Sequence, residues 1–212
     1  MDTRCSRTSA FLLVALLALG CGGARRSPVQ VPPRLDLAPY GRLGLVTFTV
    51  ENAKGSLHQY ATEQFAEAML AAQPGTEVLE LGPADTLLKR VGEKEVGIET
   101  AQAIGKQRDV GAVFAGHLKV TNPQAGGGIA ALVTPHLEAT IKVELNVWLL
   151  STRSGATLWR SSGWATQRVG HVALVDGQLD FAARDPKVAY GQLVNTLINL
   201  VTQDMRPTWR QQ

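Results

Sequence analysis

The side chains that could do chemistry in this 212-residue chain are few, and their spacing does not bring them together. The histidines are His58, His117, His136 and His171. They lack the His-x-x-x-His spacing and the cysteine partners that are typical of a zinc site. A serine nucleophile on a sharp turn needs Gly-x-Ser-x-Gly, which residues 161–163 do not provide. Glycines 126–128 lack the Lys and Ser/Thr that follow in a phosphate-binding loop. The sequence therefore predicts no catalytic residue, no metal ligand and no cofactor.

The residue best placed for a covalent modification is Cys21, at the end of an apolar segment. Residues 1–9 carry Arg4 and Arg7, residues 10–19 are unbroken apolar side chains, and Gly20 precedes the cysteine. A basic start, about 7–15 apolar residues and a small-residue exit are typical of a secretory signal peptide, because a membrane-spanning helix needs about 20 apolar residues. Residues 1–20 are therefore predicted to be a signal peptide.

The sequence around Cys21 resembles the lipobox of bacterial lipoproteins, although Ala18 and Leu19 stand where Leu and then a small residue are commonest. The resemblance implies that residues 1–20 are removed and that the Cys21 thiol carries acyl chains such as palmitate. Gly22, rather than Asp, follows the cysteine, which under the common sorting rule implies the outer membrane. We expect a lipid-anchored, periplasm-facing protein of the bacterial envelope; the alternative is an ordinary signal peptide with a chance cysteine.

The bulk properties bound the rest of the chain. About 190 residues remain after residue 20, the size of one domain, and 45% of the whole chain is apolar, enough for a core. The formal charge of +3 is too small to indicate nucleic-acid binding. Residues 21–41, rich in Gly and Pro, are predicted to be the lipidated cysteine and a flexible tether, and residues 42–212 one periplasmic α/β domain.

Hydrophobic periodicity predicts a mixed sheet with helices packed on it, in the order β-α-β-α-β-β-β-α. The predicted strands are Leu43–Val50, Glu77–Leu81, Ala112–Val120, Ile141–Leu150 and Thr157–Thr166. Helices are predicted after Ser56, after Pro83, over Glu99–Arg108 and after Pro186. The last of these carries an apolar stripe that includes Leu197, so we expect it to be buried.

Two motifs resemble signatures of the TolB amino-terminal-domain and curli-secretion-lipoprotein (CsgG-like) superfamily. One is Val110–Gly116 after a helix that contains Gly105, with Val113 where the family often has Asp; the other is the strand, turn and strand of Val147–Trp159. The inserts Asn122–Pro135 and Gln167–Ala183 are short, so we expect no transmembrane barrel. The resemblance implies a non-catalytic lipoprotein that serves in assembly, export or regulation, binds other envelope proteins and could form a homo-oligomer.

Two tryptophans are candidate interaction residues. Trp148 lies on the polar face of its predicted strand, where it could anchor a partner, unless a helix covers that face or Trp159 packs against it. Trp209, in the tail after Pro207, either docks on the domain or contacts a partner. Two other functions stay open: an envelope lipoprotein that binds a glycan or small molecule, and a hydrolase whose site is scattered in sequence.

Overall fold

The computed structural model describes residues 28–93, 95–121, 139–169, 173–175, 178–181 and 186–211. The predicted mixed α/β fold is confirmed, with four helices and a mixed sheet. The strands are β1 (Pro28–Val31), β2 (Arg42–Thr47), β3 (Thr49–Glu51), β4 (Ala53–Gly55), β5 (Glu77–Pro83), β6 (Ala112–Thr121), β7 (Ala139–Ser151), β8 (Thr157–Val169), β9 (Ala173–Val175), β10 (Gln178–Phe181) and β11 (Thr208–Gln211). The helices are α1 (Leu57–Ala72), α2 (Ala84–Val91), α3 (Ile98–Arg108) and α4 (Pro186–Val201). In the described part, no helix is long and apolar enough to span a bilayer.

The central sheet has the strand order β5-β2-β6-β7-β8, with β3 adding to β6 beyond the end of β2. Strands β5, β2 and β6 are parallel, because helices connect them in crossovers, whereas β6, β7 and β8 are antiparallel neighbours. The predicted strand Leu43–Val50 is interrupted at Phe48, whose N–H donates to Thr62 Oγ1 of α1 at 2.9 Å. The interruption lets the chain leave β5 while it stays paired with β6.

One face of the sheet, which we call the inner face, is covered by α1 and α4 over its whole length. Every second residue of β7, from Ile141 to Leu149, is buried there, as the alternating pattern predicts. Aromatic rings form the centre of this core: the Phe65 centroid lies 5.4 Å from that of Phe48 and 5.2 Å from that of Phe114. The predicted burial of the last helix is confirmed at Leu197.

The opposite side, the outer face, is covered only in part. Helices α2 and α3 enclose a small apolar cluster beneath the parallel strands, made of Val46, Ala84, Leu87, Ile104, Val110 and Val113. Gly105 of α3 lies so close to Thr152 that any larger residue would force the helix away from the β7–β8 turn. The long β7–β8 hairpin continues beyond these helices, and there its outer face carries polar and exposed side chains.

The folded region begins N-terminal to Arg42, within the segment predicted to be a tether. Leu35 and Leu37 are buried in the inner core. The N–H of Leu35 donates to the carbonyl of Asp204 at 2.9 Å, and the N–H of Leu37 donates to Gln73 Oε1 at 2.8 Å. Two leucines in a proline-rich stretch have no strand or helix period, so local pattern did not indicate that they reach the core.

Two smaller sheets complete the described part. Strand β10 lies between β4, with which it is parallel, and β9, with which it is antiparallel. Ser56 precedes α1 as predicted, but its hydroxyl lies 2.8 Å from Tyr190 Oη instead of capping the helix. A separate unit of the chain contains a two-stranded antiparallel ribbon, in which β1 pairs with β11 and Gln30 lies opposite Trp209.

Candidate interaction surface

Several of the predicted features lie outside the described residues. They are Cys21, His136, His171, glycines 126–128 and the insert Asn122–Pro135. The second insert, Gln167–Ala183, is described only at its start and in the short strands β9 and β10. The lipidation site therefore remains a prediction.

The two described histidines lie in different surroundings. Nδ1 of His117 is 2.8 Å from Thr49 Oγ1, and its Nε2 is 3.4 Å from Glu51. Nδ1 of His58 is buried and has no hydrogen-bond partner within the described part of the chain. Burial lowers the pKa of His58, because desolvation disfavours the imidazolium, so this ring is held neutral.

No chemical centre forms around these groups. Within the described ranges, no three His, Cys, Asp or Glu side chains converge as a metal site would require. A cavity of about 510 Å³ lies at the amino ends of β2 and β5, where Arg42 and Glu77 form an ion pair. Ligands of open α/β sheets bind instead beyond the carboxyl ends of the strands. This cavity is therefore weak support for a small-molecule or glycan site.

Trp148 lies on the outer face of β7, as its position in the alternating pattern predicts. It is half-buried, directly opposite Ala115 on β6 and Arg160 on β8. Trp159 does not pack against it, because Trp159 points to the inner face, where its ring meets Phe114 and its Nε1 donates to Asp204 Oδ2 at 3.2 Å. One of the two alternatives for Trp148 is therefore excluded.

Trp164 is the exposed aromatic that sequence reasoning passed over. It lies on β8 opposite Glu144, on the same outer face as Trp148, and 61% of its surface is exposed. The Lys142 ammonium lies 4.8 Å from the centroid of its ring, an arrangement that holds the ring in place by cation–π attraction. Alternation along the predicted strand could have indicated this position, because Trp164 and Arg160 are an even number of residues apart and therefore share one face of the strand.

We define the outer patch as the side chains of four consecutive cross-strand pairs of the hairpin on this face. Its members are Lys142, Glu144, Asn146, Trp148, Arg160, Ser162, Trp164 and Thr166. Asn146 Nδ2 donates to Glu144 at 3.0 Å, so the carboxylate has a partner within the patch. The patch thus combines two large aromatic rings with a small net positive charge.

Trp209 lies in the ribbon unit, on β11. It shares a face of the ribbon with Gln30, and 65% of its surface is exposed. Its function stays a prediction.

The fold defines a class: an α/β domain whose sheet is covered on one face and half-open on the other. It is similar to the PelC dodecamer from Paraburkholderia phytofirmans, at 14% identity and a TM-score of 0.51, over 85% of this chain and 96% of that chain. Two further matches have lower TM-scores. The C-terminal domain of LpoB from Salmonella enterica matches at 17% identity and a TM-score of 0.38, over 60% of this chain and 84% of that chain. Lipoprotein GNA1162 from Neisseria meningitidis matches at 15% identity and a TM-score of 0.37, over 60% of this chain and 83% of that chain. At these identities the likeness concerns the fold alone. No protein-family profile and no curated protein sequence matches the chain.

Proposed function

We propose that this chain is a lipid-anchored envelope protein that acts as a non-catalytic interaction module in assembly, export or regulation. The observation that carries the proposal is the outer patch, where Trp164 is exposed on the part of the β7–β8 hairpin that lies beyond α2 and α3. Membership of the TolB amino-terminal-domain and CsgG-like superfamily is part of the proposal and rests on the two sequence motifs.

The patch has the composition of a protein-binding surface. Aromatic side chains and arginine dominate the energetics of protein interfaces, and Trp148, Trp164 and Arg160 lie together on one flat face. The half-buried position of Trp148 fixes its ring, so little conformational entropy is lost on binding. Other envelope proteins are the proposed partners, and the fold of the dodecameric PelC makes a homo-oligomer a second possibility.

The anchor is tested by removing the Cys21 thiol. In the Cys21→Ser variant we expect no incorporation of labelled palmitate and release of the protein from the membrane fraction. Cys5→Ser is the matched control, because Cys5 precedes the predicted cleavage site and its loss should leave anchoring unchanged. A Cys21→Ser protein that still partitions fully with the outer membrane would show that the lipoprotein assignment is wrong.

The patch is tested by site-specific photocrosslinking in intact cells. A crosslinker at Trp164 should trap one or two defined envelope proteins, and Trp148→Ala should reduce the yield at least several-fold. A crosslinker at Leu70 is the control, since this exposed apolar residue of α1 lies away from the outer patch. Equal crosslinking at Leu70 and Trp164 would contradict the assignment of the patch.

A further inference from the structure

The central sheet ends in two unlike edges. Edge strand β5 has 7 residues, carries Glu77 and Glu80, ends at Pro83 and is irregular where its register with β2 shifts. Short length, charges, proline and bulges are the features by which proteins block the addition of a further strand. Edge strand β8 has 13 residues without an acid or a proline, and in the described part of the chain it pairs with β7 alone.

Apolar side chains are exposed on both sides of the β8 edge. Leu158 and Trp164 of β8 are 38% and 61% exposed. On the inner side, α4 packs directly on β8, where a Cβ at Gly163 would lie 2.9 Å from Leu200 Cβ. Leu200 is itself 38% exposed, although it belongs to the apolar stripe of α4. A long unblocked edge with apolar flanks is the surface that strand addition requires.

We propose that a second copy of this chain adds its own β8, antiparallel, to the β8 edge, so that one sheet continues through both copies. Such an interface is isologous, since each copy offers the same strand. The proposal concerns the folded domain and does not depend on the lipid anchor. Its test measures molecular mass, whereas the test of the anchor measures membrane partition.

The contact between Arg160 and Trp164 selects the register. With Ser162 of the two copies opposite each other, Arg160 of each copy faces Trp164 of the second copy. The guanidinium would then approach the ring from the side opposite Lys142, which adds a second cation–π contact. A register centred on Gly163 would instead place Arg160 opposite Thr166, where this contact is lost.

The available area suits a dimer. In this register residues 157–167 of β8 lie opposite the second copy, a length of about 36 Å at about 3.3 Å per residue. Helix α4, at 16 residues, adds about 24 Å of flank at about 1.5 Å per residue. If strand and helix are each taken as about 10 Å deep, two copies bury on the order of 1,200 Å² in total. Specific, stable interfaces bury about 1,200–2,000 Å².

A second copy fits better than a foreign strand, because the same residues of the chain form the strand pairing and the Arg160–Trp164 contacts on both sides of the interface. A strand of the β5 edge would pair over only about half the length of β8. Of the two edge strands of the central sheet, β8 is therefore the one that can pair with β8 over most of its length.

Disulfide trapping tests the register. The experiment uses the full chain with Cys5→Ser and Cys21→Ser in mild detergent, so that an introduced cysteine is the only thiol. Ser162→Cys should give a covalent dimer on mild oxidation, since directly opposite Cβ atoms lie about 4.5–5.5 Å apart. Thr157→Cys is the control, because the two Thr157 positions would be about 33 Å apart in this register.

Charge exchange tests the interface itself by sedimentation analysis over a range of concentrations. Trp164→Lys, which faces Arg160 of the second copy, should raise the dimer dissociation constant at least tenfold. The double variant Trp164→Lys, Arg160→Glu should restore the dimer. Thr166→Lys is the control: position 166 faces Leu158 of the second copy, so this variant should raise the dissociation constant less than Trp164→Lys does. Thermal melting shows that each variant is folded.

Three results would overturn the proposal. One is a folded chain that stays monomeric up to about 100 μM, whether or not it binds a strand of another protein. Another is a dimer that Thr157→Cys traps as well as Ser162→Cys does. The third is a larger assembly whose size Trp164→Lys leaves unchanged.

Discussion

The inner and outer faces of the central sheet are formed by the same strands, yet their burial differs along the sheet. On the inner face, α1 and α4 cover the parallel strands and the β7–β8 hairpin alike, so the core is continuous. On the outer face, α2 and α3 cover the parallel strands and contact the hairpin near its turn at Thr152, because these helices are the crossover between β5 and β6. The hairpin needs no crossover helix, so its outer side keeps the solvent-exposed patch.

This difference in burial implies that residues of the inner face determine stability, whereas residues of the outer face are available for recognition of a partner. A face that is enclosed by helices tolerates little change in volume, because close packing leaves no room for rearrangement. A half-open face can carry large aromatic side chains that serve a partner, as Trp164 does with 61% of its surface exposed. Substitutions on the two faces should therefore affect different measurements, and four predictions follow this contrast.

The largest loss of stability is expected at the inner face. Leu197→Ala should lower the free energy of unfolding by about 2–5 kcal/mol, because it leaves a cavity in a fully enclosed core. Urea denaturation measures the effect. Asn195→Ala is the control on the exposed side of the same helix and should change the free energy of unfolding by less than about 0.5 kcal/mol. A negligible effect of Leu197→Ala would mean that α4 folds only in a complex.

A smaller loss is expected in the outer cluster. Ile104→Ala should lower the free energy of unfolding by about 2 kcal/mol, at the low end for such substitutions, because the cluster under α2 and α3 has few members and can collapse around the cavity. Gln107→Ala, on the exposed side of α3, is the matched control. If Ile104→Ala costs more than Leu197→Ala in the same urea titration, the two faces do not differ as described.

Within the outer patch, stability should be least sensitive at the exposed ring. Trp148→Ala is expected to cost about 1–2 kcal/mol, since about half of a large side chain leaves apolar surroundings. Trp164→Ala should cost less than about 1 kcal/mol, mainly through loss of the exposed cation–π contact with Lys142. Both are measured by thermal and urea denaturation. A loss of about 3–5 kcal/mol at Trp148 would identify it as a core residue and remove it as an interaction candidate.

The smallest effect is the pH dependence at His58. Because burial lowers the pKa of His58 in the folded state, the unfolded chain binds a proton first as the pH falls through the ordinary value of about 6.5. His58 should therefore reduce stability as the pH falls from about 7 toward its folded pKa, and His58→Gln should weaken this dependence. Identical pH profiles for wild type and His58→Gln would contradict the prediction.

Part of the candidate site could be predicted from the sequence. The alternation in β7 placed Trp148 on the polar face, and the structure agrees, because in a strand neighbouring side chains always point to opposite faces. Alternation does not report how far a helix reaches over that face. For this reason the exposure of Trp164, and the half-burial of Trp148, could not be obtained from the pattern.

The sequence by itself determined the long strands of the central sheet, the four helices, the order in which they occur and the mixed α/β class. These features follow from periodicity, helix capping and turn residues, which act over a few positions of the chain. Only the tertiary structure decided that Leu35 and Leu37 enter the core, that β1 pairs with β11, and that β4 pairs with β10. The physical reason is that these contacts join residues more than 100 positions apart or lie in segments without a period. Such contacts depend on which surfaces remain open after the local elements have packed.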